Sequence, residues 1–140
     1  MSDFKIRAAL RQRLLTVVGL PAGRQWENEF FEPVVGQPYL KEKLMPTNSD
    51  VVSFGANGAA DGTIKDDGLW QITLFYPQGE GTKDAQLMAE AIRVALKPST
   101  QLSYDGENLT VMRAVIAPGR DEAVWYSIPI TIKYMTHTTN

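Results

Sequence analysis

The sequence predicts an α+β fold: a mainly antiparallel four-stranded sheet with two helices packed on one face and a long inter-strand loop. Three observations carry this. Two segments, near residues 3–18 and 83–97, repeat apolar residues at helical spacing. Four longer runs, 39–45, 69–76, 109–116 and 123–134, alternate or carry strand-forming residues. The glycine-rich segment 46–67 fits neither pattern. With 140 residues, one domain spanning 1–140 is expected, large enough to bury a core.

The first helix is expected from Asp3 to Val18. Ser2 suits the N-cap, Asp3 the positive end of the dipole, and Gly19 with Pro21 the stop. Ile6, Leu10, Leu14 and Val17 form one apolar strip, and Phe4, Ala8 and Leu15 a second. Arg7 and Arg11 lie between the strips. They either snorkel over apolar surface or meet carboxylates of a neighbouring subunit, which makes them candidate interface residues. The irregular segment from Pro21 to Pro38 holds Trp26, Phe30 and Phe31, and aromatics of that size in a loop have to cover something.

From Tyr39 to Met45, Leu40 and Leu44 point one way and Lys41 and Lys43 the other, as in a half-exposed strand. The segment 46–67 reads as a long flexible loop or an extended hairpin ordered by a partner. Val51, Val52, Phe54 and Lys65 in and beside it are candidate contacts to a neighbour. From Leu69 to Tyr76, Trp70, Ile72, Leu74 and Tyr76 share one face.

The second helix is expected from Lys83 to Lys97, with Thr82 as N-cap and Pro98 as stop. Its apolar arc is broad, so it packs on more than one thing, and Met88 and Ile92 are candidate interface residues on it. Leu102–Tyr104 and Leu109–Ile116 read as a hairpin around Asp105-Gly106, with Glu107 and Asn108 as further loop positions. In the last strand, Ala123–Tyr134, Pro129 has no N–H to donate, which predicts an edge or a bulge. The tail, 135–140, is expected to fray.

Composition narrows the chemistry. The chain is 44% hydrophobic and 21% charged with a net charge of −2, which gives no bulk signal for nucleic acid or an anionic membrane. With no cysteine, thiolate metal sites and a cysteine nucleophile are excluded, and a reducing compartment fits. No apolar run is long enough for a membrane-spanning helix. Arg7, Arg11 and Arg13 break up any signal-peptide centre.

Gly79-Glu80-Gly81-Thr82, between a strand and a helix, has the placement of a phosphate turn. However, Asp84 stands where such a turn has its third glycine, Glu80 and Asp84 repel phosphate, and no Walker lysine follows. The single histidine, His137, is in the polar tail, poorly placed as a general base. Asp61, Asp66 and Asp67 lack calcium-loop spacing. Glu27, Glu29, Glu32, Glu42, Glu80, Glu107 and Glu122 cannot be paired from sequence into a glycosidase site. No cofactor, metal or catalytic residue is expected.

A family resemblance runs through the same pieces. An arginine-bearing helix leads to Trp26-Glu27-Asn28, Phe30 and Pro33, and Pro38-Tyr39-Leu40 opens a strand. Gly68-Leu69-Trp70-Gln71-Ile72 runs to Tyr76-Pro77, Gly79, Gly81 and an alanine-rich helix, and Trp125-Tyr126-Ser127-Ile128-Pro129-Ile130 leads to Tyr134. From about Asp3 to Tyr134 the chain resembles the tail-terminator, or tail-completion, proteins of long-tailed bacteriophages and prophages. The resemblance implies a non-enzymatic virion protein. It would form a homohexameric ring that caps the tail tube, stops tail polymerisation and presents a surface to the head–neck connector. Its partners would be itself, the tail-tube protein and the connector, with no specific nucleic acid and no membrane. It would be made in the host cytoplasm and reside in the tail. The alternatives are another head–tail joining or tail-tube component and, more remotely, a small anion-binding enzyme built on Gly79–Thr82.

Overall fold

The computed structural model describes residues 2–51 and 63–139. In chain order the elements are α1 (Asp3–Leu14), β1 (Gly23–Gln25), β2 (Tyr39–Val51), β3 (Thr63–Pro77), α2 (Lys83–Ala95), β4 (Gln101–Tyr104), β5 (Glu107–Ile116), β6 (Arg120–Glu122) and β7 (Trp125–Thr139).

The four-stranded, mainly antiparallel sheet is corrected to a mixed, curled one. Among the described residues it has seven strands, ordered β1-β2-β3-β7-β5-β4, with β6 on β7. β1 pairs parallel with β2, and the other pairings are antiparallel. β1 and β6 have three residues each, too few to show an alternation.

Ser2 caps α1 by accepting from the Lys5 N–H at 3.3 Å. The helix stops at Leu14 rather than Val18. The β-branched run Thr16-Val17-Val18 is a weak helix former, and the Thr16 hydroxyl donates to the Arg13 carbonyl at 2.6 Å. α2 stops at Ala95 rather than Lys97. Pro98 disfavours helical backbone at the residue before it.

Much of the segment 46–67 is strand. β2 continues to Val51 and β3 begins at Thr63, with Asp50 opposite Lys65 and Val51 opposite Ile64. A register shift between Pro46 and Asn48 accommodates the proline. Met135–Thr139, expected to fray, complete β7 opposite Thr63–Asp67. The extra length is an arm of three polar strands, β2, β3 and β7. Ladder hydrogen bonds on both sides of β3 hold it together, which apolar periodicity cannot register.

Pro129 lies in β7, an interior strand, opposite Thr73 of β3. Its carbonyl accepts from Ala117 at 2.9 Å, so its nitrogen faces the same flank. On that flank β5 pairing ends at Ile130 and β6 pairing at Ser127. The missing N–H falls in the gap where β7 changes partner. Asp105 and Gly106 alone make the hairpin turn, with φ of 53° and 78°, and Tyr104 pairs directly with Glu107.

One core joins the layers. Ile6, Leu10 and Leu14 of α1 and Ala85, Ala89 and Ile92 of α2 pack on Leu40, Trp70, Ile72, Leu74, Leu109, Ile128, Ile130 and Ile132. Tyr134 is buried against Gly68, where a side chain would meet the tyrosine hydroxyl and come within 2.8 Å of the Met45 carbonyl. Burial, with Asp3, Asp66 and Asp67 nearby, pushes the Tyr134 hydroxyl up to about 12. The ordinary value is 10.0. Between pH 10 and 12 the unfolded chain loses this proton while the folded chain keeps it, so stability falls as pH rises. Thermal melting should decline through this window, and the decline should be smaller in Tyr134→Phe. Equal declines in both proteins would exclude Tyr134 as a source.

Candidate interaction surfaces

α1 is fixed by charge before it presents anything. Glu42 follows the inward phase of Leu40 and Leu44, and its side chain is completely buried. Arg11 holds it with two hydrogen bonds, Nε to Oε2 at 2.6 Å and Nη2 to Oε1 at 2.5 Å. Trp70 Nε1 donates to Oε2 at 3.1 Å and the Glu27 N–H to Oε1 at 3.3 Å. Arg7 Nη2 donates to Glu27 Oε1 at 2.8 Å, and the same oxygen accepts from the Leu44 N–H at 2.9 Å. The Arg11 guanidinium lies 4.5 Å from the Trp26 ring centroid. Carboxylate hydrogen bonding holds the Arg11 guanidinium above its ordinary range. Two arginines and two glutamates thus join α1 to β2.

At the other sheet margin, Lys5 reaches Glu107 at 3.1 Å and Asp105 at 3.3 Å, and Phe4 meets Tyr104 edge-on. Arg13 Nε donates to the Ala95 carbonyl at 2.8 Å, satisfying the end of α2. α1 therefore spans the curled sheet and docks α2.

Two apolar surfaces flank this arrangement. On the helix side a hollow is lined by Thr16, Val17 and Val18 after α1 and by Leu87, Glu90, Ala91, Val94 and Ala95 of α2. Val18, Val94 and Leu87 are 92%, 69% and 55% exposed. The other surface is the loop between β1 and β2. Phe31 anchors it on Tyr39 at 5.3 Å, and Tyr39 stacks on Phe75 at 4.5 Å and meets Trp125 edge-on at 5.0 Å. A turn closes from Gln37 N–H to Val34 carbonyl at 3.1 Å, with Gly36 at φ 91°. Phe30, beside the anchor, is 92% exposed, Val35 74% and Val34 56%. The sheet face opposite the helices carries exposed Lys41, Lys43, Arg113 and Lys133, with Arg113 directly opposite Lys133.

The sequence-derived candidates fall in different places. Arg7 and Arg11 join each other through Glu27 and Glu42 within the one chain. Ile92 is fully buried, and Met88 is half-buried against the core, so the exposed apolar residues of α2 are Leu87 and Val94. Lys65 is on the arm, 3.8 Å from Asp67. The Val51 backbone ends β2, and Val52 and Phe54 lie outside the described residues. Sequence reasoning missed Glu42. Its signal was an inward-phase carboxylate between two leucines, matched by Arg7 and Arg11 between the apolar strips of α1.

In the turn Gly79–Thr82, Gly79 and Gly81 take φ of 88° and 80°, a backbone requirement that accounts for both glycines. Thr82 makes no side-chain cap. Among the described residues no group of three His, Asp or Glu side chains is placed to hold a metal, and no helix is long and apolar enough to cross a membrane.

A comparison with curated proteins gives no match. Among solved structures, one protein superposes with a TM-score of 0.72 at 22% identity, over 97% of this chain and 96% of its own. Another, from a structure titled the virion of a native gene transfer agent particle, gives a TM-score of 0.54 at 15% identity, over 96% of each chain. Both likenesses concern the fold. The profile of the phage tail terminator proteins matches residues 5–134, a span that takes in the α1–β2 lock, both apolar surfaces and the whole sheet centre. The chain therefore belongs to the phage tail terminator protein family and is a structural component of a phage tail.

Proposed function

We propose that the protein works by assembly rather than chemistry. Copies close into a homohexameric ring on the finished tail tube, stop its polymerisation and offer the head–neck connector a docking surface. The family match over residues 5–134 carries this reading. Two features support it. A closed ring needs unlike, complementary faces on each subunit, and the hollow by α2 and the loop bearing Phe30 are unlike apolar faces. The β2–β3–β7 arm, with Val51 and Lys65 on it, has the reach to touch the tube or a neighbour. The partners are the tail-tube protein, the connector and further copies, and the site of action is the virion tail after assembly in the host cytoplasm.

The test is electron microscopy of particles made without this gene. Tails longer than normal and lacking heads are the expected result. Tails of normal length joined to heads would overturn the reading. Complete loss of tubes would instead assign the chain to the tube itself.

A further inference from the structure

We propose that the Phe30–Val35 loop of one copy seats in the hollow between the α1 end and α2 of the next copy. This contact deepens the ring reading above and rests on it.

The loop has the form of a ligand prepared in advance. Neighbouring aromatics behave oppositely: Phe31 is fixed on Tyr39, while Phe30 stands 92% exposed. Val34 and Val35 project from the turn closed at Gln37. The loop therefore loses little conformational freedom on binding. A phenylalanine held outward beside two exposed valines covers nothing in its own subunit, and apolar surface of this kind marks a binding site.

The hollow is the complementary half. Val17, Ala91 and Ala95 give it a shallow floor of small side chains, and Val18, Leu87 and Val94 supply apolar walls. Charge selects the partner. The loop carries Glu29 and Glu32, both exposed, and no cation between Glu29 and Gln37. Exposed Lys97 follows the end of α2 in sequence, after the C-cap Leu96. Exposed Arg13 is bonded to Ala95, one of the lining residues. Glu90 is the one acid in the lining. An acidic apolar loop and an apolar hollow with the Arg13 cation at its edge, on the same chain, point to a second copy as the occupant. Because the two faces are unlike, the contact is head-to-tail and propagates from copy to copy.

The chain has no cysteine, so disulfide trapping reads this contact directly. Phe30→Cys and Val94→Cys change exposed side chains and leave the core untouched. The full chain carrying both would be oxidised with copper–phenanthroline, in purified form at high concentration and in particle lysates. A ladder of covalent oligomers extending beyond the dimer is the expected result, with a mixture of the two single variants stopping at the dimer. A ladder absent in both settings would overturn the contact. So would Phe30→Cys alone dimerising with the double variant going no further, which marks a symmetric contact. Cross-linking of either cysteine to a different virion protein would overturn self-docking and assign that face to the other partner. Tail length in the same particles judges the ring reading separately. Normal termination without the ladder removes this contact alone, and a ladder with unregulated tails removes the ring function alone.

Discussion

Glu42→Ala is expected to lower the unfolding free energy by about 3–5 kcal/mol, toward the lower end of that range. The value follows from what the substitution strands rather than from what the pair contributes. Glu42 is fully buried, and its removal leaves the Arg11 guanidinium with no anion on β2. Arg11 keeps the Trp26 face and its side chain remains 25% exposed, so water relieves part of the cost. Trp70 Nε1 also loses its acceptor in a site with no solvent access. Small domains are stable by only about 5–15 kcal/mol, so the variant should unfold at a much lower urea concentration. A change in the midpoint worth less than about 1 kcal/mol would mean that the buried network does not fix α1. Replacing Arg11 by methionine should be comparably harmful, because the stranded group is then the more deeply buried carboxylate.

The second large effect is expected for Trp70→Ala, a loss of about 3–5 kcal/mol. Trp70 is fully buried between Leu44 on β2 and Ile132 on β7. Its indole lies in the core that both helices pack on, and its N–H reaches Glu42. Truncation removes the largest side chain of the core and opens a cavity, which neighbouring strands held by their ladders cannot collapse to fill. Trp70→Phe keeps most of the volume and should cost less than half as much. Because Glu42 and Trp70 share a hydrogen bond, their alanine losses should not add. The double variant is expected to lose less than the sum by about 0.5–3 kcal/mol. Additivity within about 0.5 kcal/mol, measured by urea unfolding of all four proteins, would show that the bond does not couple them.

The sequence exposed those parts of the fold that bury an apolar stripe. Trp70, Ile72 and Leu74 alternate cleanly and all lie in the core, as do Ile6, Leu10 and Leu14 at helical spacing. Asp105-Gly106 needs positive φ at both positions, which its residues permit. What stayed hidden is held by backbone pairing. Asn48, Ser49 and Asp50 have no apolar side chain to signal a strand, and their backbone pairs with Asp67, Asp66 and Lys65. The three-residue strands β1 and β6 depend on neighbours already in place. At the candidate surfaces the signal was partial. Arg7 and Arg11 stood out in sequence, but their partner Glu42 was one glutamate among several until the register of β2 turned it inward. On α2 the breadth of the apolar arc was readable, whereas which part of it stays outside depended on where the sheet and α1 fall. That placement buries Ile92 and leaves Val94 exposed.

The position of β7 also governs when the fold can close. β3 and β5 are hydrogen-bonded to it along most of their length, and β6 pairs with it alone. Until β7 has left the ribosome, the two halves of the sheet have no common neighbour and the core has no floor. Helix α1 and β2 can meet early through Arg11 and Glu42, but the sheet closes only when β7 joins β3 to β5. Closure of the fold thus waits on this one strand, and a chain that has not yet made β7 cannot complete its core.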